Sequence, residues 1–400
     1  MENPDEIRRS WALQSAWQTG PKVINKLQPP IFGRISVPFV QTWRESGQPT
    51  LDWGAQSYST YIPEGVRCIS AAYLHIALPS AEYQAYPGLN IIDTFRLRSA
   101  GQIVYEVDYT QMLVDYCESL SDQKLRHFAD IYLGGDQATA VGSPATRDVK
   151  LPLILPNSTY MRRSDNSSAG HGIFGTMTGS QRVEFEITLK SALHPGRAAG
   201  ANDPTSIAGQ CTIMYHCVSV PTSLRKRYED LRGFFNTVIR RFTQLTPAWT
   251  HYSTANTLVT DSLSQPSGVV SEVMLLAVPH EDNDYDRNVR NYILPTHFEV
   301  VHDMITQKRL DTISKVKTEL FTNGFAAPTN FSSPGRLCFA SHCASDSTNL
   351  YSGGYDCSNA SVLQFRFKFD VACDYRLVAV QYANCKIDGS GILTSSLDGI

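Results

Sequence analysis

The sequence lacks the features that mark membrane-spanning proteins, nucleic-acid binders and the common enzymes. No apolar run approaches the ~20 residues of a transmembrane helix. The formal net charge of −3 leaves no basic excess for nucleic acid. The GxSxG, HExxH, Walker and GxGxxG motifs are missing. We therefore expect no catalytic residues, no cofactor, no metal site and no direct sequence-specific binding of nucleic acid.

Cysteine pairs with the CxxC spacing of zinc sites are also lacking, although the chain has nine cysteines. Their intervals are irregular, and several lie in apolar segments, where a thiol behaves as a small hydrophobic group. The polar N-terminal residues have no apolar core of a secretion signal. We predict reduced, structural thiols and assembly in the cytoplasm or nucleus.

One acidic run resembles a metal-binding loop, His280-Glu281-Asp282-Asn283-Asp284. It lacks the glycine and the terminal glutamate of a calcium loop, and it directly follows an apolar segment that ends at Pro279. We interpret it as a solvated turn. Three further carboxylates have no obvious basic or metal partner, namely Asp93, Asp108 and Asp115.

What the sequence does contain is a repeated pattern of strands. Strict period-two alternation, typical of half-buried antiparallel strands, occurs in two pairs of segments. The first pair is Arg182–Leu189 and Cys211–Val218, and the second is Val362–Phe369 and Tyr375–Tyr382. We interpret each pair as the closing hairpin of a β unit.

Earlier segments are repeated in the same order. Gly65–Pro79 and Gly268–Pro279 share an apolar pattern that ends in proline. Each is followed by a further strand, Ile91–Leu97 in one half and Tyr292–Val300 in the other. An internal repeat of this kind indicates two copies of one β architecture.

The length of 400 residues favours two or three domains, since single cores rarely grow beyond about 250 residues. The predicted divisions are an N-terminal helical arm at 1–28, a first β domain at 29–222, a linking helix at 223–242 and a second β domain at 243–400. Helical insertions are predicted at Tyr109–Phe128 and Val301–Leu320.

The N-terminal arm has the signals of a short amphipathic helix. Asn3 is a suitable N-cap, and Pro4 suits the first helical position. The apolar face of this helix consists of Ile7, Trp11, Leu13 and Trp17. This face either packs against the body of the protein or docks on a neighbouring subunit or an inner membrane.

Several segments, taken in order, resemble one known family. They are Val66–Pro79, Asn90–Tyr116, Ser333–Ser341, Asp356–Phe365 and Tyr382–Gly391. Together they resemble the double jelly-roll major capsid proteins of tailless icosahedral double-stranded DNA viruses. This is the adenovirus-like lineage that includes nucleocytoplasmic large DNA viruses, virophages and polinton-like viruses. The third segment departs from the family pattern, because proline and serine are exchanged and an asparagine is absent.

The resemblance implies an all-β fold with a few inserted helices, built from two tandem antiparallel jelly-roll β-sandwiches at 29–222 and 243–400. It implies a homotrimer with a pseudo-hexagonal outline, a capsomer that tiles an icosahedral virion shell. The implied partners are neighbouring capsomers, penton and minor capsid proteins and an inner membrane reached through the arm. The loop region 134–179 would supply trimer contacts or exposed decoration.

Two other functions remain open from the residues. A β-sandwich carbohydrate-binding or carbohydrate-active protein could use Trp43, Trp53 and Trp249 as stacking platforms. The absence of a recognisable pair of catalytic carboxylates weighs against an active glycosidase. A minor capsid or spike protein is the second alternative, although such a protein is not expected to contain the tandem repeat.

Overall fold

A computed structural model describes residues 36–43, 49–54, 56–63, 69–110, 112–113, 122–135, 145–153, 183–196, 204–218, 235–246, 249–264, 268–282, 293–322, 339–342, 355–356, 362–388, 390 and 392–396. These residues are mostly strands. The chain divides into two compact units. The first comprises Met1–Thr110, Phe128–Ile239 and Asn384–Ser396, and the second comprises Gln111–His127, Arg240–Ala383 and Leu397–Ile400.

The first eight strands are β1 (Ser36–Thr42), β2 (Ser57–Tyr61), β3 (Ile69–Ala81), β4 (Ile92–Ser99), β5 (Gln102–Asp108), β6 (Ala145–Leu153), β7 (Val183–Leu189) and β8 (Cys211–Val218). They form two antiparallel sheets with the orders β1-β8-β3-β6 and β2-β7-β4-β5. The pairs β1/β8, β2/β7, β3/β6 and β4/β5 are therefore those of one long hairpin rolled over into two sheets. This is the eight-stranded jelly roll.

The later strands are β9 (Phe235–Gln244), β10 (Thr250–Tyr252), β11 (Val259–Ser264), β12 (Val269–Pro279), β13 (His297–His302), β14 (Ile305–Leu310), β15 (Phe339–His342), β16 (Tyr355–Asp356), β17 (Val362–Lys368), β18 (Cys373–Ile387) and β19 (Leu393–Ser396). One sheet has the order β10-β18-β12-β15, with β9 and β19 also on β18 and β16 on β12. The other has the order β11-β17-β13-β14. This is the same jelly roll again, so the fold predicted from the sequence is confirmed.

The core of each jelly roll lies between its two sheets. In the second unit, Val273 and Leu275 of β12 pack with Phe298 of β13 and Phe365 of β17 in one buried cluster. In the first unit, β4 supplies Phe95 and Leu97 as fully buried residues. The alternating residues of each strand thus pack inward, as period-two patterning requires.

The repeat predicted from the sequence is confirmed, but the predicted closing hairpins are wrong. The repeated pairs are β7 with β8 and β17 with β18, and the members of each pair lie in different sheets. They meet through side chains instead. The ring centroids of Phe185 and Tyr215 are 6.2 Å apart, and those of Phe367 and Tyr375 are 4.9 Å apart. Alternation identifies a strand but does not select its hydrogen-bonding partner.

Two predicted helices need correction, and the bounds of a third change. Residues 235–242 of the predicted linking helix are part of strand β9. The helix predicted at Tyr109–Phe128 is helical at the described residues 109–110 and 112–113, and α1 (Asp122–Ile131) extends three residues beyond its predicted end. The helix predicted at Val301–Leu320 is shorter, α2 (Ile313–Thr322), and is preceded by β14. Short apolar segments fit both the helical and the extended period. Among the described residues, no helix is long and apolar enough to cross a membrane. The domain boundaries stay predictions.

The C-terminal hairpin has a well-defined turn. The Asp388 carboxylate accepts hydrogen bonds from the backbone N–H groups of Ser390 and Ile392, both at 2.9 Å. Residues Asn384–Ile387 of β18 pair with β19 on either side of this turn. β19 contacts β5, which belongs to the same compact unit.

Candidate functional site

Three strands of the second unit bring polar side chains together at one end of a sheet. Asp374 is the second residue of β18, and His251 of β10 lies directly opposite it. On the other side of β18, Asp374 lies opposite Val278 of β12, and His280 follows two residues later. Because side chains alternate along a strand, Val278 and His280 share the sheet face that carries Asp374.

The two histidines converge on one oxygen atom. Nδ1 of His280 lies 2.8 Å from Oδ1 of Asp374, and Nδ1 of His251 lies 3.0 Å from the same atom. The imidazole centroids are 3.8 Å apart. The Asp374 side chain is 1% exposed, whereas those of His251 and His280 are 42% and 40% exposed.

A buried carboxylate is costly unless donors satisfy it, so the imidazole N–H groups stabilise Asp374. The potential ligand atoms of the three side chains also lie within 4.8 Å of one another. The cluster is therefore both a hydrogen-bonded unit and a set of groups that could hold a cation.

The sequence reveals only one member of this cluster. His280 was included in the run interpreted as a solvated turn, and Glu281 and Asp282 are indeed exposed. The partner of His280, Asp374, lies 94 residues further along, and His251 is 123 residues from Asp374. No local spacing signals such a cluster, because strand pairing alone brings the three residues together.

A charged cluster lies on the second sheet of the first unit, on the face away from the core. Arg96 of β4 donates to Glu186 of β7 at 2.6 Å and to Glu106 of β5 at 2.8 Å. Arg98 reaches the second oxygen of Glu186 at 2.6 Å. The hydrogen bonds to Glu106 and Glu186 raise the pKa of the Arg96 guanidinium above its ordinary value.

The second unit has a charged cluster at the corresponding place. Glu299 of β13 lies 3.1 Å from Nε of Arg309 on β14 and 3.9 Å from Nη1 of Arg366 on β17. His297 also approaches Glu299, with its Nε2 at 3.1 Å. In both units, a polar side chain of the central strand thus faces opposite charges on both neighbouring strands.

The tryptophans proposed as sugar platforms are engaged within the protein. Trp43 is 1% exposed and donates through Nε1 to the carbonyl of Pro49 at 2.9 Å. Trp53 donates to the carbonyl of Thr205 at 2.9 Å, and the guanidinium of Arg376 lies 5.5 Å from the centre of the Trp249 ring. Trp43 offers no open face for a sugar.

Other residues singled out in the sequence fall into two groups. Those of the arm, Ile7, Trp11, Leu13 and Trp17, lie outside the described residues, as does Asp115. Among the cysteines whose side chains the structure describes, Cys211 and Cys373 are buried and free. Burial raises the pKa of each thiol to about 12. Both are therefore inert, structural thiols.

Comparisons with known proteins identify the fold. No protein-family model and no curated protein matches the sequence. Among solved structures, the PBCV-1 protein VP54, fitted into a reconstruction of the virophage Sputnik, is similar with a TM-score of 0.64 at 11% identity. That match covers 91% of this chain and 97% of the other.

Two further capsid proteins are similar at comparable length. The Faustovirus major capsid protein matches with a TM-score of 0.56 at 13% identity, covering 88% of this chain and 91% of that one. The mavirus major capsid protein matches with a TM-score of 0.54 at 10% identity, covering 91% of both chains. The chain thus has the double jelly-roll fold that these viral capsid proteins share.

Proposed function

We propose that this chain is the major capsid protein of an icosahedral double-stranded DNA virus or virus-like element. The single observation that supports this most strongly is the doubled jelly roll. Both units have the same strand order, and the fold likeness to VP54 extends over 91% of this chain. Three copies of a two-barrel chain supply six similar barrels, which is the number a pseudo-hexagonal tile needs.

In this role the chain is a structural subunit and turns over no substrate. Its partners are two further copies of itself, neighbouring capsomers, and penton and minor capsid proteins. The arm at 1–28, with Ile7, Trp11, Leu13 and Trp17 on one face, docks on a neighbouring subunit or on an inner membrane. The protein resides in the virion after assembly in the host cytoplasm or nucleus.

Exposed apolar side chains at the β4–β5 and β13–β14 turns support an assembly role. The latter turn, Asp303-Met304, has positive φ at both residues, as a two-residue hairpin with a type I′ turn requires. Met304 is 83% exposed and Ile305 is 65% exposed, and Ile103 beside the β4–β5 turn is 47% exposed. Met304 and Ile305 are adjacent, and adjacent exposed apolar groups are candidates for contacts with other proteins, whereas the single Ile103 carries little weight.

The test is the mass of the purified chain in solution, by size-exclusion chromatography with light scattering. We expect a stable trimer near three times 44.4 kDa, with a six-lobed outline in negative-stain electron micrographs. A chain that stays monomeric at assembly concentrations would contradict the proposal. Binding of that monomer to a glycan array would favour the carbohydrate-binding alternative.

The arm is tested separately by liposome flotation. Intact protein and a variant without residues 1–28 are compared on vesicles of mixed neutral and anionic lipid. Flotation of the intact chain alone supports membrane docking. Equal flotation of the two proteins, together with loss of the trimer only in the shortened one, assigns the arm to subunit contacts.

A further inference from the structure

We propose that His251, His280 and Asp374 form a binding site for a divalent transition-metal ion, with Zn²⁺ as the reference ion. The site would join the ends of β10, β12 and β18, three neighbouring strands of the second jelly roll. It does not depend on the capsid role, because a metal ion could bind the free chain in any assembly state.

The spacing of the ligand atoms suits a metal ion. In a tetrahedral site with metal–ligand bonds of about 2.0–2.2 Å, neighbouring ligand atoms lie about 3.3–3.6 Å apart. Here Oδ1 of Asp374 lies 2.8 Å and 3.0 Å from the Nδ1 atoms of His280 and His251. A shift of less than about 1 Å would open these contacts to the separation that a bound ion imposes.

The donor set selects the class of ion. Two imidazole nitrogens and one carboxylate oxygen suit Zn²⁺, Co²⁺ or Ni²⁺. Calcium takes about 6–8 oxygen ligands, and magnesium prefers oxygen ligands and retained water. Neither of these hard cations is expected to bind at a place where two of three ligands are nitrogen.

The site is closed on the side of Asp374 and open to solvent on the side of the two histidines. Asp374 anchors it from within the sheet at 1% exposure, while the two histidines are about two-fifths exposed. A fourth ligand can therefore be water, and the ion has a direct entry path. Oδ1 of Asp282 lies 3.6 Å from Nε2 of His280. A carboxylate there would orient the imidazole with Nδ1 towards the metal.

The first jelly roll provides an internal contrast. Cys211 opens β8 as Cys373 opens β18, so Thr212 takes the place of Asp374. The hydroxyl of Thr212 lies 3.4 Å from Nδ1 of His75. Nε2 of His75 also lies 3.7 Å from Oδ1 of the exposed Asp148. This place therefore has a carboxylate but only one imidazole, and the carboxylate is on the opposite side of the ring from Thr212. His75 serves as the matched control because the second histidine is missing there.

A cluster held only by hydrogen bonds, with no affinity for metal, would have the same short contacts. Titration with metal ions distinguishes such a cluster from a metal site. The full-length chain is stripped with EDTA, dialysed and titrated with ZnCl₂ by calorimetry and with CoCl₂ by visible absorption. The variants are His251→Gln, His280→Gln and the control His75→Gln. Both cluster histidines are partly exposed, so these variants should fold, which circular dichroism verifies. Asp374→Asn is less suitable because it alters a buried group.

We expect one ion per chain for the native sequence and for His75→Gln, with tetrahedral Co²⁺ absorption bands. His251→Gln and His280→Gln should each weaken binding by at least about tenfold, since even outer partners of metal ligands are worth that much. CaCl₂ and MgCl₂ should give no comparable heat. Equal Zn²⁺ affinity in all variants would mean adventitious surface binding only and would overturn the proposal. So would the absence of binding to the native chain, which would leave a hydrogen-bonded cluster.

Discussion

The charged clusters of the two jelly rolls occupy the same place with the charges exchanged. In the first unit, Arg96 lies between Phe95 and Leu97 and is paired in register with Glu186 and Glu106. In the second unit, Glu299 lies between Phe298 and Val300 and is paired in register with Arg366 and Arg309. The strand positions correspond one to one, and only the signs differ.

This difference shows that the central position does not require a particular residue. It requires a charge opposite to those of the residues across it on the two neighbouring strands. The flanking aromatic and aliphatic residues pack inward in both units, so the central side chain must point away from the core. A charge there is stabilised by opposite charges directly across both neighbouring strands. Either sign at the centre satisfies that requirement, provided that both neighbours change with it.

The two clusters nevertheless differ in strength. Glu186 is 7% exposed and receives contacts at 2.6 Å from two arginines, Arg96 and Arg98. Glu299 is 9% exposed, but its arginine contacts are 3.1 Å and 3.9 Å, and Arg309 is 62% exposed. Short, partly buried hydrogen bonds between charges are stronger than long, solvated ones.

The corresponding strands β3 and β12 also differ in burial. Along β3 the fully buried residues Ala72, Leu74, Ile76 and Leu78 alternate with partly exposed ones. Along β12 every residue from Val273 to Val278 is buried. A one-sided strand carries polar groups such as His75 on its second face, whereas β12 is continuously apolar, as strands buried on both faces are.

The largest expected effect concerns this difference between β3 and β12. Leu276→Ala removes a 0% exposed side chain on the face of β12 away from the core cluster. It should lower the free energy of unfolding by about 3 kcal/mol, because it leaves a cavity. Ala77→Ser, on the corresponding face of β3, should change it by less than about 0.5 kcal/mol. Denaturant unfolding measures both, and equal losses would contradict two-sided burial of β12.

A smaller effect is expected when the central carboxylate of each charged cluster is neutralised. Glu186→Gln should lower the free energy of unfolding by about 2 kcal/mol, since it weakens one short charge-assisted hydrogen bond, from Arg96, and one short ion pair, with Arg98, at a nearly buried site. Glu299→Gln should cost about 0.5–1 kcal/mol, because its arginine contacts are longer and more exposed. Chemical unfolding in low salt compares the two. A larger loss for Glu299→Gln would reverse the ranking of the clusters.

The exchange of charges can be tested directly in the second unit. Glu299→Arg places like charges opposite Arg309 and Arg366 and should lower the free energy of unfolding by about 1 kcal/mol. Adding Arg309→Glu and Arg366→Glu recreates the sign pattern of the first unit and should recover at least half of that loss. High salt should reduce both effects by screening. A triple variant less stable than the single one would show that the position requires a specific residue.

The smallest difference between the two units is expected at their buried thiols, because neither should react with an alkylating agent in the native protein. Cys211 and Cys373 both have pKa values raised by burial to about 12, so almost no thiolate forms at pH 8. Brief alkylation of the native protein, mapped by peptide mass spectrometry, should leave both unlabelled, and labelling should occur after unfolding. Rapid labelling of Cys373 alone would show that the β18 end opens in solution.

Much of the fold could be predicted because the alternation within each strand, and its repetition in the second half, can be read from short segments without knowing which strands pair. The strands β3, β4, β7 and β8 and their counterparts in the second half were recognised in order from apolar periodicity. Residues 235–242 were assigned to a helix because a short segment with apolar residues at mixed spacing fits either structure. Neighbouring strands override such weak local preferences by supplying a hydrogen-bonding ladder.

Local patterning was enough to predict two β units whose strands have alternating inward residues. Strand pairing depends on the folded chain as a whole, and it is this pairing that puts β7 and β8 in different sheets, facing each other across a core. The same pairing places His251, His280 and Asp374 together. It also gives Arg96 and Glu299 equivalent positions in their own sheets, each opposite residues of the other charge. These groups come from distant parts of the chain, and register, which the whole fold sets, determines which side chains meet.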